Sequence, residues 1–319
     1  MKKTQRLTAA TAFASIFLAG TAMAMDGVVA SIKPIHSLVA AVMGDTGTPD
    51  LLVKGAGSPH TYSLRPSEAR MLEEAKVVFW VGDKLETFLA KPLQSLAANA
   101  TVVTLSETPG LTLLDVREGG AFEHHDHDHE PHDGHDHDGD DDHDHDHGSK
   151  DMHLWLDPEN ARVIVKEVAK TLSKTDPSNA STYEQNAEAV DQRLATLIEE
   201  TKAGLARVKD KRFIVFHDAY HYFEDRFELQ PAGSISVNPE APPSAQRVKE
   251  IQERIAEVDA ACVFAEPQFE PRIVTVVTEG ANAKAGQLDP LGANLDDGPN
   301  LYFDLIRNLA TSFTSCMAQ

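Results

Sequence analysis

The sequence predicts an α/β fold: two parallel-sheet α/β lobes joined by one long rigid helix. Two observations carry that expectation. Short β-branched runs alternate with helix-like segments along the chain, the pattern of βαβ units and parallel sheets. Residues 177–208 form a single amphipathic stretch that lacks an internal proline and has only Gly204 as a weak spot.

Candidate strands are Val28–Ile32, Asp50–Val53, Val77–Val81, Thr101–Leu105 and Met152–Leu156, then Phe213–Phe216, Gly233–Val237, Cys262–Ala265 and a short piece before Asp289. Helices fill the gaps. Asp157-Pro158 and Asp176-Pro177 are start signals, each an acidic N-cap followed by a proline at the first helical position, where its missing N–H costs nothing. In the long stretch Ala180, Tyr183, Ala187, Val190, Leu194, Leu197 and Ile198 recur at spacings of three and four. At about 1.5 Å per residue it would run roughly 45–50 Å, longer than one small domain needs. The expected organisation is a first lobe over 25–175, a linking helix over 176–208 and a second lobe over 209–319.

Residues 1–24 read as a signal peptide. Lys2, Lys3 and Arg6 form a basic start, the run from Leu7 to Gly20 is uncharged, and Ala22-Met23-Ala24 is an A-x-A cleavage signal. The uncharged run is shorter than the roughly 20 residues that span a bilayer. No lipid-accepting cysteine follows the cleavage point, so the expected location is the periplasm of a two-membraned bacterium. In that oxidising compartment Cys262 and Cys316, which have no C-x-x-C spacing, are expected to form a disulfide.

The formal charge is −21, and twelve of the acidic residues lie between Glu123 and His147, where there is no Lys or Arg. Such a surface argues against a nucleic-acid partner, whose phosphates need a basic face. Ten of the fifteen histidines lie in the same segment: His124, His125, His127, His129, His132, His135, His137, His143, His145 and His147, laced with Asp. Nothing in 123–147 is apolar enough to form a core, so a disordered loop is expected. Imidazole and carboxylate together suit Zn²⁺, and the loop reads as an auxiliary set of weak, exchangeable sites.

Among the other histidines, His60 follows a predicted strand through the Gly-rich turn Gly55-Ala56-Gly57-Ser58-Pro59. His153 opens the run His153-Leu154-Trp155-Leu156, and His217 ends Phe213–Phe216. Ligands of open α/β sheets bind outside the carboxyl ends of strands, so residues placed there converge on one crevice. His60 and His153 precede the long helix and His217 follows it, which puts a metal in the cleft between lobes.

These residues sit within longer motifs: Val29-Ala30-Ser31-Ile32-Lys33-Pro34, Ser58-Pro59-His60-Thr61-Tyr62-Ser63-Leu64-Arg65-Pro66-Ser67, His153-Leu154-Trp155-Leu156-Asp157-Pro158, Phe216-His217-Asp218-Ala219-Tyr220, Phe264-Ala265-Glu266-Pro267-Gln268 and Leu288-Asp289-Pro290-Leu291-Gly292. The chain thereby resembles the zinc and manganese solute-binding proteins of ABC importers, and within them the periplasmic zinc receptors. The resemblance implies a metal held between lobes by His60, His153 and His217, and delivery by a monomer to an ABC importer permease in the inner membrane. Some zinc receptors carry Glu just before the first ligand histidine, where this chain has Pro59. Asp289 aligns with an aspartate that completes the site in other members, so Asp289 or a water is expected as fourth ligand. Three imidazoles with at most one carboxylate suit tetrahedral Zn²⁺ better than Mn²⁺.

Two other classes compete. His217-Asp218-Ala219-Tyr220-His221 approaches the H-E-x-x-H helix of zinc proteases, but the β-like residues before His217 place the two histidines on different elements, and Asp is shorter than the Glu base. The expectation is therefore a protein that is not an enzyme. A metal-buffering or adhesive surface protein would use the same site.

Overall fold

The computed structural model describes residues 24–117, 149–236, 239, 241–270 and 272–318. The expected signal peptide, apart from Ala24, and the His/Asp-rich loop 123–147 lie outside the described residues. Four short strands, β1 (Val28–Ala30), β2 (Asp50–Leu51), β3 (Val77–Trp80) and β4 (Thr101–Thr104), pair in parallel in the order β2-β1-β3-β4. A second parallel sheet has the order β6-β5-β7-β8, from β5 (Arg212–His217), β6 (Gln230–Ser236), β7 (Cys262–Ala265) and β8 (Lys284–Gln287). The central strands β1 and β3 are buried throughout, as a sheet covered on both faces requires. In each sheet the winding reverses beside the first strand, at β1/β3 and at β5/β7, and a crevice opens there past the carboxyl ends.

Helices α1 (Lys33–Met43), α2 (Pro66–Glu74) and α3 (Thr87–Leu96) serve the first sheet, and α4 (Pro158–Thr175) follows it. Asp157 caps α4 as its sequence signal predicts, its Oδ1 accepting the Glu159 N–H at 2.9 Å. The expected long helix is present as α5 (Ala180–Leu205), 26 residues, entered through a 3₁₀ turn at Pro177–Asn179. At about 1.5 Å per residue α5 is roughly 39 Å long, somewhat shorter than the sequence suggests because both ends of 177–208 are turns. Beyond it lie α6 (His221–Phe227), α7 (Ala245–Glu257), α8 (Arg272–Thr278) and α9 (Leu301–Met317).

The stretch Met152–Leu156, expected as a strand, is not one. Leu154–Leu156 is a 3₁₀ turn, and the Asp151 side chain accepts the His153 backbone N–H at 2.9 Å, a local bond that competes with strand pairing. Leu154, Trp155 and Leu156 are all fully buried rather than alternating, and periodicity does not identify so short an apolar run.

The halves are not independent. One continuous buried cluster runs from Met25, Val28 and Phe79 through Trp155 and the α5 residues Tyr183, Val190 and Leu197 to Phe213, Phe264 and Phe313. Helix α5 touches both halves by named bonds: Asn186 donates to the Val42 carbonyl at 2.9 Å, and Arg193 donates to Asn300 at 2.9 Å. The amino end of α9 reaches the first half, where the Tyr302 N–H donates to Ser37 Oγ and its hydroxyl donates to the Trp155 carbonyl. The carboxyl end of α9 is joined to β7 by the expected disulfide between Cys262 and Cys316. Gly286 on β8 makes room for that junction, since a Cβ there would lie 2.6 Å from the Phe264 ring and 3.2 Å from Cys316 Sγ.

The bridge closes a loop with a sequence separation of 54. On the chain-entropy account this contributes about 4 kcal/mol, so a Cys262→Ser/Cys316→Ser variant should unfold at a midpoint lower by on the order of 10 °C. Differential scanning calorimetry reads this directly, and an unchanged midpoint would show that the bridge does not constrain the unfolded chain.

Candidate metal centre

His60 is carried by the turn that leaves β2. Gly55 takes φ +62°, a conformation open to glycine, the Gly57 N–H donates to the Lys54 carbonyl at 3.2 Å, and the His60 N–H donates to Ser58 Oγ at 3.3 Å. Downstream, the Tyr62 hydroxyl donates to Glu68 Oε1 at 2.7 Å and anchors the turn to α2. His153 precedes the 3₁₀ turn that leads into α4. His217 is the last residue of β5, at the crevice of the second sheet.

These three, predicted from strand ends, come together. They form the one group of at least three potential metal-ligating side chains found among the described residues, with ligand atoms all within 4.8 Å of one another. His153 Nε2 lies 3.3 Å from His60 Nε2 and 3.4 Å from His217 Nε2. His153 and His217 are buried and His60 is half-buried. Trp155 packs against the His153 ring at 5.4 Å and Phe269 against the His217 ring at 5.5 Å, so the walls are apolar.

Two carboxylates that sequence reasoning left without a role stand behind these rings. Asp151 Oδ1 lies 2.7 Å from His153 Nδ1, and Glu266 Oε1 lies 2.8 Å from His217 Nδ1. Both acids are buried. Glu266 directly follows β7, the neighbour of β5 at the crevice, and its place just past a strand end was the one signal that could have found it. An ionised carboxylate only accepts hydrogen bonds, so each Nδ1 carries the proton and each Nε2 presents a lone pair to the cleft. The Nε2 atoms of His153 and His217 thus face each other at 3.4 Å across the cleft. A metal ion placed between them would accept both lone pairs.

Asp289 is not part of this group, and none of its oxygens lies within 4.8 Å of all three imidazoles. Its Oδ1 accepts from Gln268 Nε2 at 2.9 Å and from the Leu291 and Gly292 N–H groups, and its Oδ2 accepts from the Ala293 N–H at 2.6 Å. The carboxylate organises its own Asp-Pro-Leu-Gly turn, as aspartate does where the chain reverses. His221, the second histidine of the protease-like spacing, opens α6 while His217 ends β5, and it stands outside the trio with Nδ1 4.0 Å from Asp151 Oδ2.

The mouth of the cleft is built from the chain on either side of the His/Asp-rich segment. Asp115 and Lys150 form an antiparallel bridge with their side chains paired at 2.7 Å, and Val116 N–H donates to the Ser149 carbonyl. Arg117 crosses to the second half, pairing with Asp218 and, at 2.7 Å, with the buried Glu224. Val116, Arg117, Ser149 and Lys150 line a cavity of about 210 Å³ that also exposes the three imidazoles.

Electrostatics separates the ligands. Burial, reinforced by the charges of His153 and His217, pushes the His60 pKa down to about 2. For His153 burial also disfavours the charged form, but the Asp151 carboxylate outweighs it and the pKa is raised above 6.5. Asp151 responds in kind: burial alone would raise it, and His153 holds it below the usual carboxylate range.

Lobes of this architecture with an imidazole cluster between them define a two-lobed receptor for a nitrogen-preferring cation. Residues 28–316 match the family described as zinc-uptake complex component A, periplasmic (ZnuA), and the chain belongs to that family. The chain is 52% identical over 335 residues to the high-affinity zinc uptake system protein ZnuA of Brucella suis biovar 1, covering 100% of both, and 41% identical over 300 residues to the ZnuA of Paracoccus denitrificans, covering 91% of both. A crystal structure of ZnuA superposes with a TM-score of 0.75 at 25% identity, over 91% of this chain and 98% of the other. Streptococcal laminin-binding protein Lbp shares the fold at 24% identity with a TM-score of 0.71, so the fold alone does not distinguish receptor from adhesin.

A metal must displace any proton on its ligands, and log affinity falls by about one per pH unit for each proton displaced. His60 is neutral down to about pH 2, whereas His153, with its raised pKa, already competes above pH 6.5. Chelator competition from about pH 8 to about pH 5.5 should therefore show zinc affinity falling with acidification, beginning above the ordinary histidine range. A flat profile would contradict the Asp151–His153 pairing.

Proposed function

We propose that this chain captures Zn²⁺ in the periplasm with His60, His153 and His217 and delivers it, as a monomer, to the permease of an ABC importer in the inner membrane. The observation that carries this reading is the spacing of the nitrogens. Zinc bonds imidazole at about 2.0–2.1 Å, so tetrahedral ligands must stand about 3.3–3.4 Å apart. The separations from His153 Nε2 are 3.3 and 3.4 Å. With Asp289 engaged by its own turn, the fourth position falls to water.

Charge supports a divalent cargo. Once a metal has displaced any ring proton, three neutral imidazoles with the Asp151 and Glu266 carboxylates behind them carry a formal charge of about −2, which the bound dication cancels. Membership of a zinc-uptake family supports the choice of metal and the partner. Among the described residues no helix is long and apolar enough to cross a membrane. Membership of a family that takes up zinc supports a binding role rather than a catalytic one.

The ten loop histidines, His124 to His147, collect further zinc weakly beside this site. Support comes from the Asp115–Lys150 bridge, which holds the flanking residues Arg117 and Ser149 at the mouth of the cleft, so that ions collected by the segment between them are tethered to the chain that lines the site.

Isothermal titration calorimetry tests both claims. His60→Ala, His153→Ala and His217→Ala should each weaken the tight site by orders of magnitude without unfolding the protein, and an unchanged affinity would refute the assignment. Deleting residues 123–147 should remove the additional, weaker equivalents and leave one tight site. Identical stoichiometry before and after deletion would show that the loop does not collect zinc.

A further inference from the structure

The three ligands are held unequally. His153 is fixed at two points by one carboxylate oxygen, since Asp151 Oδ1 accepts both its Nδ1–H at 2.7 Å and its backbone N–H at 2.9 Å. His217 is fixed in the same way from the other sheet: Glu266 Oε1 accepts its Nδ1–H at 2.8 Å and its backbone N–H at 3.3 Å. An aromatic ring, Trp155 or Phe269, closes on each. His60 has neither device. Among the described residues no carboxylate or carbonyl meets its Nδ1, its ring bonds only to His153, and it rides on a Gly-rich turn.

We propose that Asp151 and Glu266 are positioning residues, one in each lobe, that fix the tautomer and aim of His153 and His217, and that His60, which lacks such support, is the ligand through which the ion enters and leaves. The inference rests on the three-histidine site proposed above. A ring already locked in the productive tautomer and rotamer gives up nothing further when a metal arrives, whereas a free ring must be ordered at that moment. The supported pair therefore forms a standing two-nitrogen seat that spans the lobes, and closing the shell with His60 is the last step of capture. Release runs the other way. A shell opens at its least constrained ligand, and losing His60 leaves the ion on two nitrogens at a mouth already open to solvent. A delivery protein needs both tight capture and a route for giving the ion up, and this asymmetry provides them in one site.

The competing view is that both acids serve only the fold. Glutamine at 266 retains an oxygen that can accept from Nδ1–H, while alanine does not, so the pair separates the two views. In zinc-free protein at alkaline pH, long-range ¹H–¹⁵N spectra of the histidine rings should show His217 as the Nδ1–H tautomer, lost in Glu266→Ala and kept in Glu266→Gln. Zinc affinity should fall about 10–100-fold in Glu266→Ala and recover most of that loss in Glu266→Gln. Asp151→Ala and Asp151→Asn should behave likewise at His153. In the unmodified protein, exchange broadening of ring ¹⁵N signals should be greatest at His60. Wild-type affinity and an unaltered tautomer in Glu266→Ala would overturn the positioning role, and equal or greater broadening at His153 or His217 would overturn the assignment of His60. If His217→Ala also retained tight zinc binding, the three-histidine site itself would have failed. Loss of binding in His217→Ala alongside an indifferent Glu266→Ala would defeat this inference alone.

Discussion

The centre of the molecule is governed by the need to hold the Nε2 atom of His153 within 3.4 Å of those of His60 and His217 between apolar walls. Left alone, such an arrangement relaxes: a ring turns over, a proton enters, or the halves separate. Ring flips and separation are each restricted by a different part of the structure, and proton entry is restricted at His60. Asp151 and Glu266 oppose ring flips by accepting from Nδ1, and burial lowers the His60 pKa so that this ring resists protonation. Separation of the halves is opposed by the core that runs through α5 and α9. The fold thus holds the three nitrogens ready for a cation, with a proton on His153 as its competitor.

That view explains why the lobes share so much. His60 and His153 belong to the first half and His217 to the second, so the nitrogen spacing is only as good as the relation between the sheets. A hinge of a few flexible residues would let the spacing drift by ångströms. Here the relation is set by a rigid α5, by Tyr302 bonded to both Ser37 and Trp155, and by the buried Lys33 ammonium donating to the Leu295 carbonyl at 2.7 Å. Trp155 in turn donates its indole N–H to the Pro290 carbonyl at 2.8 Å, tying the Asp289 turn to the first half. Closure in such a body is a matter of local ring and turn adjustments, because a wide swing would have to break a continuous core.

Much of this was legible in residue order, and the exceptions have physical causes. Parallel strands, the α4 cap at Asp157 and the spine at α5 follow from periodicity and start signals that act locally. His60 and His217 could be placed because strand ends in open sheets point at a common crevice. The Cys262–Cys316 pairing followed from the compartment that the leader implies and from the lack of C-x-x-C spacing. His153 was located correctly but on the wrong element, since a three-residue apolar run cannot distinguish a strand from a buried 3₁₀ turn. For Asp289, expected with water as the alternative fourth ligand, an aspartate before Pro-Leu-Gly can serve an ion or its own backbone, and only the folded turn shows four donors converging on it. Asp151 and Glu266 could not be assigned a role for the opposite reason: what distinguishes them is which ring nitrogen they face, and no local pattern records that.

The orientation of those two acids also bears on which ion the cleft prefers. Turned inward, they would make an oxygen-rich site suited to Mn²⁺, which takes more ligands and favours carboxylate. Turned outward to the Nδ1 atoms, they lend their charge to the imidazoles while leaving nitrogen alone to face the ion, and a ligand with its distal N–H bonded to a carboxylate is the more basic for it. The Trp155 and Phe269 rings that wall the His153 and His217 imidazoles add no oxygen ligand of their own. Zinc, with no geometric preference from its d electrons, accepts three nitrogens and one further ligand without penalty. Selectivity in this chain is therefore written less in the identity of its acidic residues than in the direction they face, and a change that freed Glu266 from His217 would shift the site toward oxygen ligation while leaving its formal charge unaltered.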